Sequence, residues 1–332
     1  MKTLDKFLIK DIFKSFRKPE VGFFIDDIKP YNKAMASIRM RCYDMIPFLE
    51  KSGIHAELYK SFKKYQVVIF TKTTSDKSVR VAKKLKEQGV KVYFESYYEH
   101  LSNDAVQCRE KDNIREMLKI ADLVGVASDV QKEDFGQYCS DIVMIPESVH
   151  DDFFASRKQH EDKDCVNLIY CGYASKAKDT LCIKSVIQRL QKEKGCKMLY
   201  VCEKDPEIEG LDYEYIHYEQ QRIPQLLMRG DIMIAPRPME GIEKSAHSFT
   251  KAAYPLAVGL PTVASPMPSY VGTPVILCHT DEEWYATLVD LIEDAKKRDE
   301  LGQEAQKYVY DNHSVDVIGK RYIDLINELR YS

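Results

Sequence analysis

The residues best placed for chemistry are cations at expected helix starts. In Ser248–Tyr270, SFTKAAYPLAVGLPTVASPMPSY, Lys251 falls in the first turn of a short helix. Ser248 can cap that helix, and Phe249, Ala252, Ala253, Leu256 and Ala257 recur at helical spacing. Gly259 stands where a helix ends left-handed, Pro261 blocks continuation, and Thr262–Ala264 is β-prone. First-turn N–H groups are unpaired and the helix dipole favours an anion there. Lys251 therefore either completes an anion site or is a solvated first-turn lysine. A second lysine, Lys178, follows Gly172 by six residues and precedes an expected helix over 179–194. A lysine beside a helix start after a glycine turn fits a diphosphate pocket. The alternative is a solvated lysine, with Lys176 two residues earlier. Glu99 and His100 follow an expected strand at 91–95, where His100 would touch donor or acceptor or be a surface group.

These residues need elements to hold them. Strands are expected at 21–25, 54–59, 67–71, 91–95, 122–127 and 142–145, with helices at 35–51, 76–88, 111–120 and 129–138. The alternation restarts after the polar run 156–164, which reads as a linker. Strands follow at 166–171, 197–202, 213–217, 231–235, 262–264 and 275–278. Helices are expected at 179–194, 220–229, 281–296, 298–311 and 314–330. Strand–helix alternation at this spacing predicts α/β architecture with parallel, doubly wound sheets. The chain has 332 residues, 44% hydrophobic and 30% charged, a composition and length that suit two domains. A net charge of −3 gives no case for nucleic acid. Nine cysteines without a CxxC pair fit reduced thiols in a cytoplasmic protein better than a disulfide or zinc framework. No apolar run approaches the roughly 20 residues of a spanning helix, and the start does not read as a signal peptide. Residues 1–20 form an expected basic amphipathic helix, which either docks on the protein or lies on an anionic membrane surface.

Several segments resemble the GT-B glycosyltransferases, near the family 4-like retaining group. The run from Ser248 follows S-x-x-K-x-x-E-x-x-A-x-G-x-P-V-x-x-S through Ser248, Lys251, Ala257, Gly259, Pro261 and Ser265, with Tyr254 where the Glu belongs. The G-R-x-x-x-x-K-G pattern is met by Gly172 and Lys178, with Tyr173 and Asp179 at the other two places. Ser37, Arg39 and Arg41 resemble S-x-R-x-R after the first strand. Being two apart, the arginines are expected on different helix sides, one toward a cleft and one as a surface charge. Pro236–Lys244, PRPMEGIEK, is similar to the loop beside the donor sugar, which brings in Arg237, Glu240 and Glu243, with His247 just beyond. IPESVHDDFF at 145–154 resembles the close of the family's first domain.

The resemblance implies two Rossmann-like domains facing a cleft: 21–155 on the acceptor side, 165–313 on the donor side, and 314–332 packing back on the first domain. It implies sugar transfer from a nucleoside-diphosphate sugar to a glycan, glycolipid or cell-surface polysaccharide precursor, with retention. It also gives Lys251 and Lys178 the donor diphosphate and Tyr254 the place of the ribose ligand. Those cations would carry the leaving group's charge with no metal and no cofactor. Were the reaction inverting, His100 or Glu99 would be the base. Tyr254 and Tyr173 keep open an inactive scaffold, and the shared architecture keeps open a nucleotide-sugar epimerase. Oligomeric state is not legible.

Overall fold

Near-continuous apolar runs such as VVIFT and NLIYC have no polar face, so they must be covered on both sides, as in a parallel sheet. A computed structural model, describing residues 20–96, 101, 108–239 and 249–331, places them so. The chain divides into two compact units.

The first unit comprises residues 1–126, 132–145 and 319–332. Its six parallel strands are β1 (Val21–Phe24), β2 (Ala56–Leu58), β3 (Val67–Thr71), β4 (Lys91–Glu95), β5 (Leu123–Val126) and β6 (Ile142–Met144), in the order β2-β1-β3-β4-β5-β6. Phe24, Phe70, Val92, Phe94, Val124 and Val126 meet Ile114 and Leu118 in one core. The helix Asp76–Glu87 is capped by Ser75, whose hydroxyl accepts from the Ser78 amide. The expected helix 35–51 is interrupted. A π turn, Arg39–Tyr43, separates Ala36–Ile38 from Met45–Lys51, and the Asp44 amide donates to the Arg39 carbonyl at 2.8 Å. The wider turn changes the side-chain phase. Both Arg39 and Arg41 are buried, so neither is the expected surface charge.

The second unit comprises 127–131 and 146–318. Its parallel strands are β7 (Asn167–Cys171), β8 (Lys197–Cys202), β9 (Glu214–His217), β10 (Ile232–Ala235), β11 (Thr262–Ala264) and β12 (Ile276–Leu277), in the order β12-β11-β10-β7-β8-β9. Trp284 packs with Ile183 and Leu288 in one of its cores. The helical run after β7 begins earlier than expected. Ala174–Ala177 is a short helix, Lys178–Ile183 a 3₁₀ stretch, and Lys184–Lys194 the α-helix. The run 156–164 is no free linker. Arg157 pairs with Asp299 at 2.7 Å, the Lys158 amide donates to the Val258 carbonyl, and Lys158 and Lys163 both reach Asp231.

One close approach sets the seat of the Lys251 helix. Gly259, at φ +80°, ends that helix, and the helix Ala295–His313 crosses it at Gly302. A Cβ on Gly302 would lie 2.2 Å from the Gly259 carbonyl oxygen. Gly302→Ala is expected to cost roughly 1–3 kcal/mol by overpacking. Urea unfolding checks this, and an unchanged midpoint would refute the tight crossing.

The last helix, Val315–Tyr331, begins in the second unit and continues in the first from Gly319. Among the described residues no helix is long and apolar enough to cross a membrane.

Candidate functional site

In the second sheet the strand order reverses between β7 and β10. Open α/β sheets take ligands beyond the carboxyl ends of strands at such a switch point. Gly172 leaves β7 there and Arg237 leaves β10 two residues past its end. The helix Thr250–Ala257 has Lys251 as its second residue, as the spacing predicts. Its N-cap position is Phe249, without a side-chain cap.

Lys251 is half-buried, with Nζ 4.0 Å from the ring centroid of Tyr170, a β7 residue. A cation over an aromatic face gains from the ring quadrupole, more so when desolvated. Burial pulls the Lys251 ammonium down to about 7, and the Arg237 charge pushes the same way. Asp179 opposes both. The thiols of Cys171 and Cys202 are each pushed up to about 12, mainly by burial, so they stay neutral beside it. The Tyr170 hydroxyl is buried and has no hydrogen-bond partner among the described residues.

Arg237 is held through its backbone. The Ser265 hydroxyl accepts from the Arg237 amide at 2.8 Å and donates to its carbonyl at 3.0 Å. Ser265 follows β11, so this clasp ties two adjacent strand ends. Beside it opens a cavity of about 360 Å³, lined by Arg237, Met239, Ser265, Cys278, Thr280 and Trp284 among others.

The structure thus sets Lys251 over Tyr170, with the charges of Arg237 and Asp179 near enough to act on both. Lys178 is exposed, lies one turn into the helical run, and its charge is not among those that most shift Lys251. The first amide of that run, Ala174, already donates to the Glu203 carboxylate at 2.9 Å, so the expected helix start beside Lys178 is occupied from within. Tyr254 stacks on Phe153, with ring centroids 4.2 Å apart and planes 17° off parallel.

In the first unit, Ser37 is half-buried. The Arg39 guanidinium donates to the Ala34 carbonyl and lies 5.9 Å from the Tyr31 ring centroid. Arg41 is 1% exposed, donates to the Ile145 carbonyl at 2.8 Å and stands 3.7 Å from Glu95. Glu99, His100, Glu240, Glu243, His247 and Ser248 lie outside the described residues, as do positions 1–19. Asp179 carried only the signal of a departure from the family pattern. Tyr170 read as an ordinary strand residue. Among the described residues no group of three or more His, Cys, Asp or Glu side chains is placed to hold a metal ion.

No family model matches the chain, and no curated protein does. Solved structures match it well. HepE from Anabaena, crystallised with UDP and glucose, superposes at a TM-score of 0.66 with 13% identity, over 93% of this chain and 100% of that one. A glycosyltransferase from Rickettsia africae gives 0.62 with 10% identity, over 95% and 99%. A Listeria monocytogenes protein assigned as a UDP-N-acetylglucosamine 2-epimerase gives 0.57 with 10% identity, over 93% and 96%. The fold is the two-domain α/β fold of GT-B glycosyltransferase structures.

Proposed function

We propose that the chain is a glycosyltransferase that takes a nucleoside-diphosphate sugar on its second unit and an acceptor on its first. The observation that carries this reading is the pair Lys251 and Arg237, two cations at the switch point of the second sheet. Burial lowers Lys251 most and the Arg237 charge adds to it, and a diphosphate held by both cations would offset these costs. HepE, which shares the fold, binds UDP and glucose in its crystal.

In the reaction the bond from the anomeric carbon to the β-phosphate oxygen breaks, and its electron pair stays on the phosphate. The acceptor hydroxyl oxygen bonds to that carbon and gives up its proton. Lys251 and Arg237 stabilise the growing phosphate charge, so no metal is required for that task. We assign retention, with the leaving phosphate as the base for the acceptor proton. The expected setting is assembly of a glycan, glycolipid or surface polysaccharide precursor at the cytoplasmic side.

The test is calorimetry of the full chain with UDP, followed by incubation with UDP-sugars and candidate acceptors. Saturable UDP binding and sugar transfer, with the donor's anomeric configuration in the fresh product by proton NMR, are expected. The opposite anomer refutes retention. The Listeria match motivates one rival reading, and conversion of a UDP-sugar without acceptor would favour an epimerase. Intact folding without UDP binding would favour a scaffold.

A further inference from the structure

The first unit carries its own cationic corner, at the equivalent place in its sheet. The order β2-β1-β3 puts the switch point between β1 and β3. Lys72 is the first residue beyond β3 and holds φ +51°, the left-handed region that a non-glycine residue enters at a cost. Such backbone outliers persist where the surrounding structure enforces them, and they cluster at ligand sites. The enforcement is visible. The Lys72 amide donates to the Glu95 carbonyl at 3.1 Å, and two residues on, the Asp26 carboxylate accepts from the Thr74 and Ser75 amides at 2.9 and 3.2 Å. The loop is thereby pinned to both neighbouring strands.

The turn aims the side chain at the segment 34–35, where Lys72 Nζ lies 3.8 Å from Met35 Sδ. Arg39 also donates to this segment, at the Ala34 carbonyl. Lys72 is half-buried, and burial draws its ammonium down to about 8. Next to it, the Thr73 hydroxyl is fully buried without a hydrogen-bond partner among the described residues. Two cations bonded to the one segment 34–35, with a buried hydroxyl on the residue after Lys72, suit an oxyanion of charge −2.

We propose that Lys72, supported by Arg39 and Thr73, is an anion site on the first unit that takes the phosphate group of a phosphorylated acceptor. This deepens the transferase reading and rests on it for the word acceptor, while the phosphate site stands on the first unit's residues alone. The phosphate belongs to either a soluble sugar phosphate or a lipid-linked one.

The experiment separates this site from the donor site. In a Lys251→Ala background, inorganic phosphate is titrated calorimetrically, and the titration is repeated with Lys72→Gly added. Glycine accepts φ +51° freely, so this variant is expected to melt no lower than its parent while phosphate affinity falls at least tenfold. Lys72→Arg on the same background is expected to retain binding within a few-fold. Equal phosphate affinity with and without Lys72→Gly overturns the proposal, and so does failure of the parent to bind phosphate at all. UDP titration of the single Lys72→Gly variant should match wild type. If UDP fails to bind wild type while phosphate binding still depends on Lys72, the transferase reading falls and the anion site stands. Glucose 1-phosphate competing with phosphate points to a soluble acceptor, and vesicles carrying an undecaprenyl phosphate competing instead point to a lipid-linked one. Competition by neither overturns the acceptor assignment.

Discussion

Lys251→Ala is expected to weaken UDP binding by roughly 30- to 150-fold, the equivalent of about 2–3 kcal/mol. The size follows from burial. A charge-assisted contact in a partly dehydrated pocket exceeds the worth of a surface pair. Removing Lys251 also leaves Arg237 as the remaining cation of the pair proposed to hold the diphosphate. The same residue predicts a pH profile. Free Lys251 sits at about 7, so above neutrality most of it is uncharged. The diphosphate favours the charged form and raises the bound value. Binding above pH 7 must then take up a proton, and affinity falls by up to about tenfold per pH unit until the bound value is passed. Below pH 7 this uptake disappears, and protonation of the terminal phosphate, with a pKa of about 6, weakens binding instead. Calorimetry at pH 8 in two buffers of different ionisation enthalpy reads the uptake directly. Equal apparent enthalpies, with affinity flat from pH 6.5 to 8.5, would remove Lys251 from the phosphate site.

Arg41→Ala is expected to destabilise the first unit by about 3–5 kcal/mol, because it strands a buried charge. Arg41 and Glu95 are 1% and 0% exposed, and Glu95 also accepts from the Tyr322 hydroxyl at 2.5 Å and from Thr71 at 3.3 Å. Tyr322 lies in the last helix, so one carboxylate ties three elements: the end of β4, the π turn and that helix. Tyr322→Phe removes only a hydrogen bond and should cost about 1 kcal/mol. The double variant Arg41→Met, Glu95→Leu should cost less than Arg41→Ala alone, since no charge is left unpaired. Urea unfolding of the three variants gives the ranking. A double variant worse than the single one would show that the pair's net attraction exceeds its desolvation cost.

How much of this was legible before any coordinates differs by residue type. The bounds of β3, β4, β8 and β11 coincide with the runs 67–71, 91–95, 197–202 and 262–264. Those segments are mostly apolar, and each is followed by a polar residue, Lys72, Ser96, Glu203 or Ser265, so local signals agree with the tertiary result. The breaks in the helices after β1 and β7 were not legible. A π or 3₁₀ turn only shifts the partner of a backbone hydrogen bond by one residue, which residue type does not specify, and packing against distant strands settles it. The strap 156–164 misled for a related reason. Its polar composition reads as solvent-facing, yet Arg157, Lys158 and Lys163 find Asp299 and Asp231 far along the chain.

The amino-acid order by itself determined the two alternating halves, the helix that carries Lys251 and the turn at Gly259, because each depends on periodicity and φ within a few residues. Only the tertiary structure decided that the charge of Arg237 acts on Lys251, that Arg41 is a buried tie, and that Lys72 is turned left-handed at the carboxyl end of an interior strand. Those outcomes depend on which strand ends lie side by side and how much water is shut out between them. Groups far apart in the chain set both, and no local pattern encodes them.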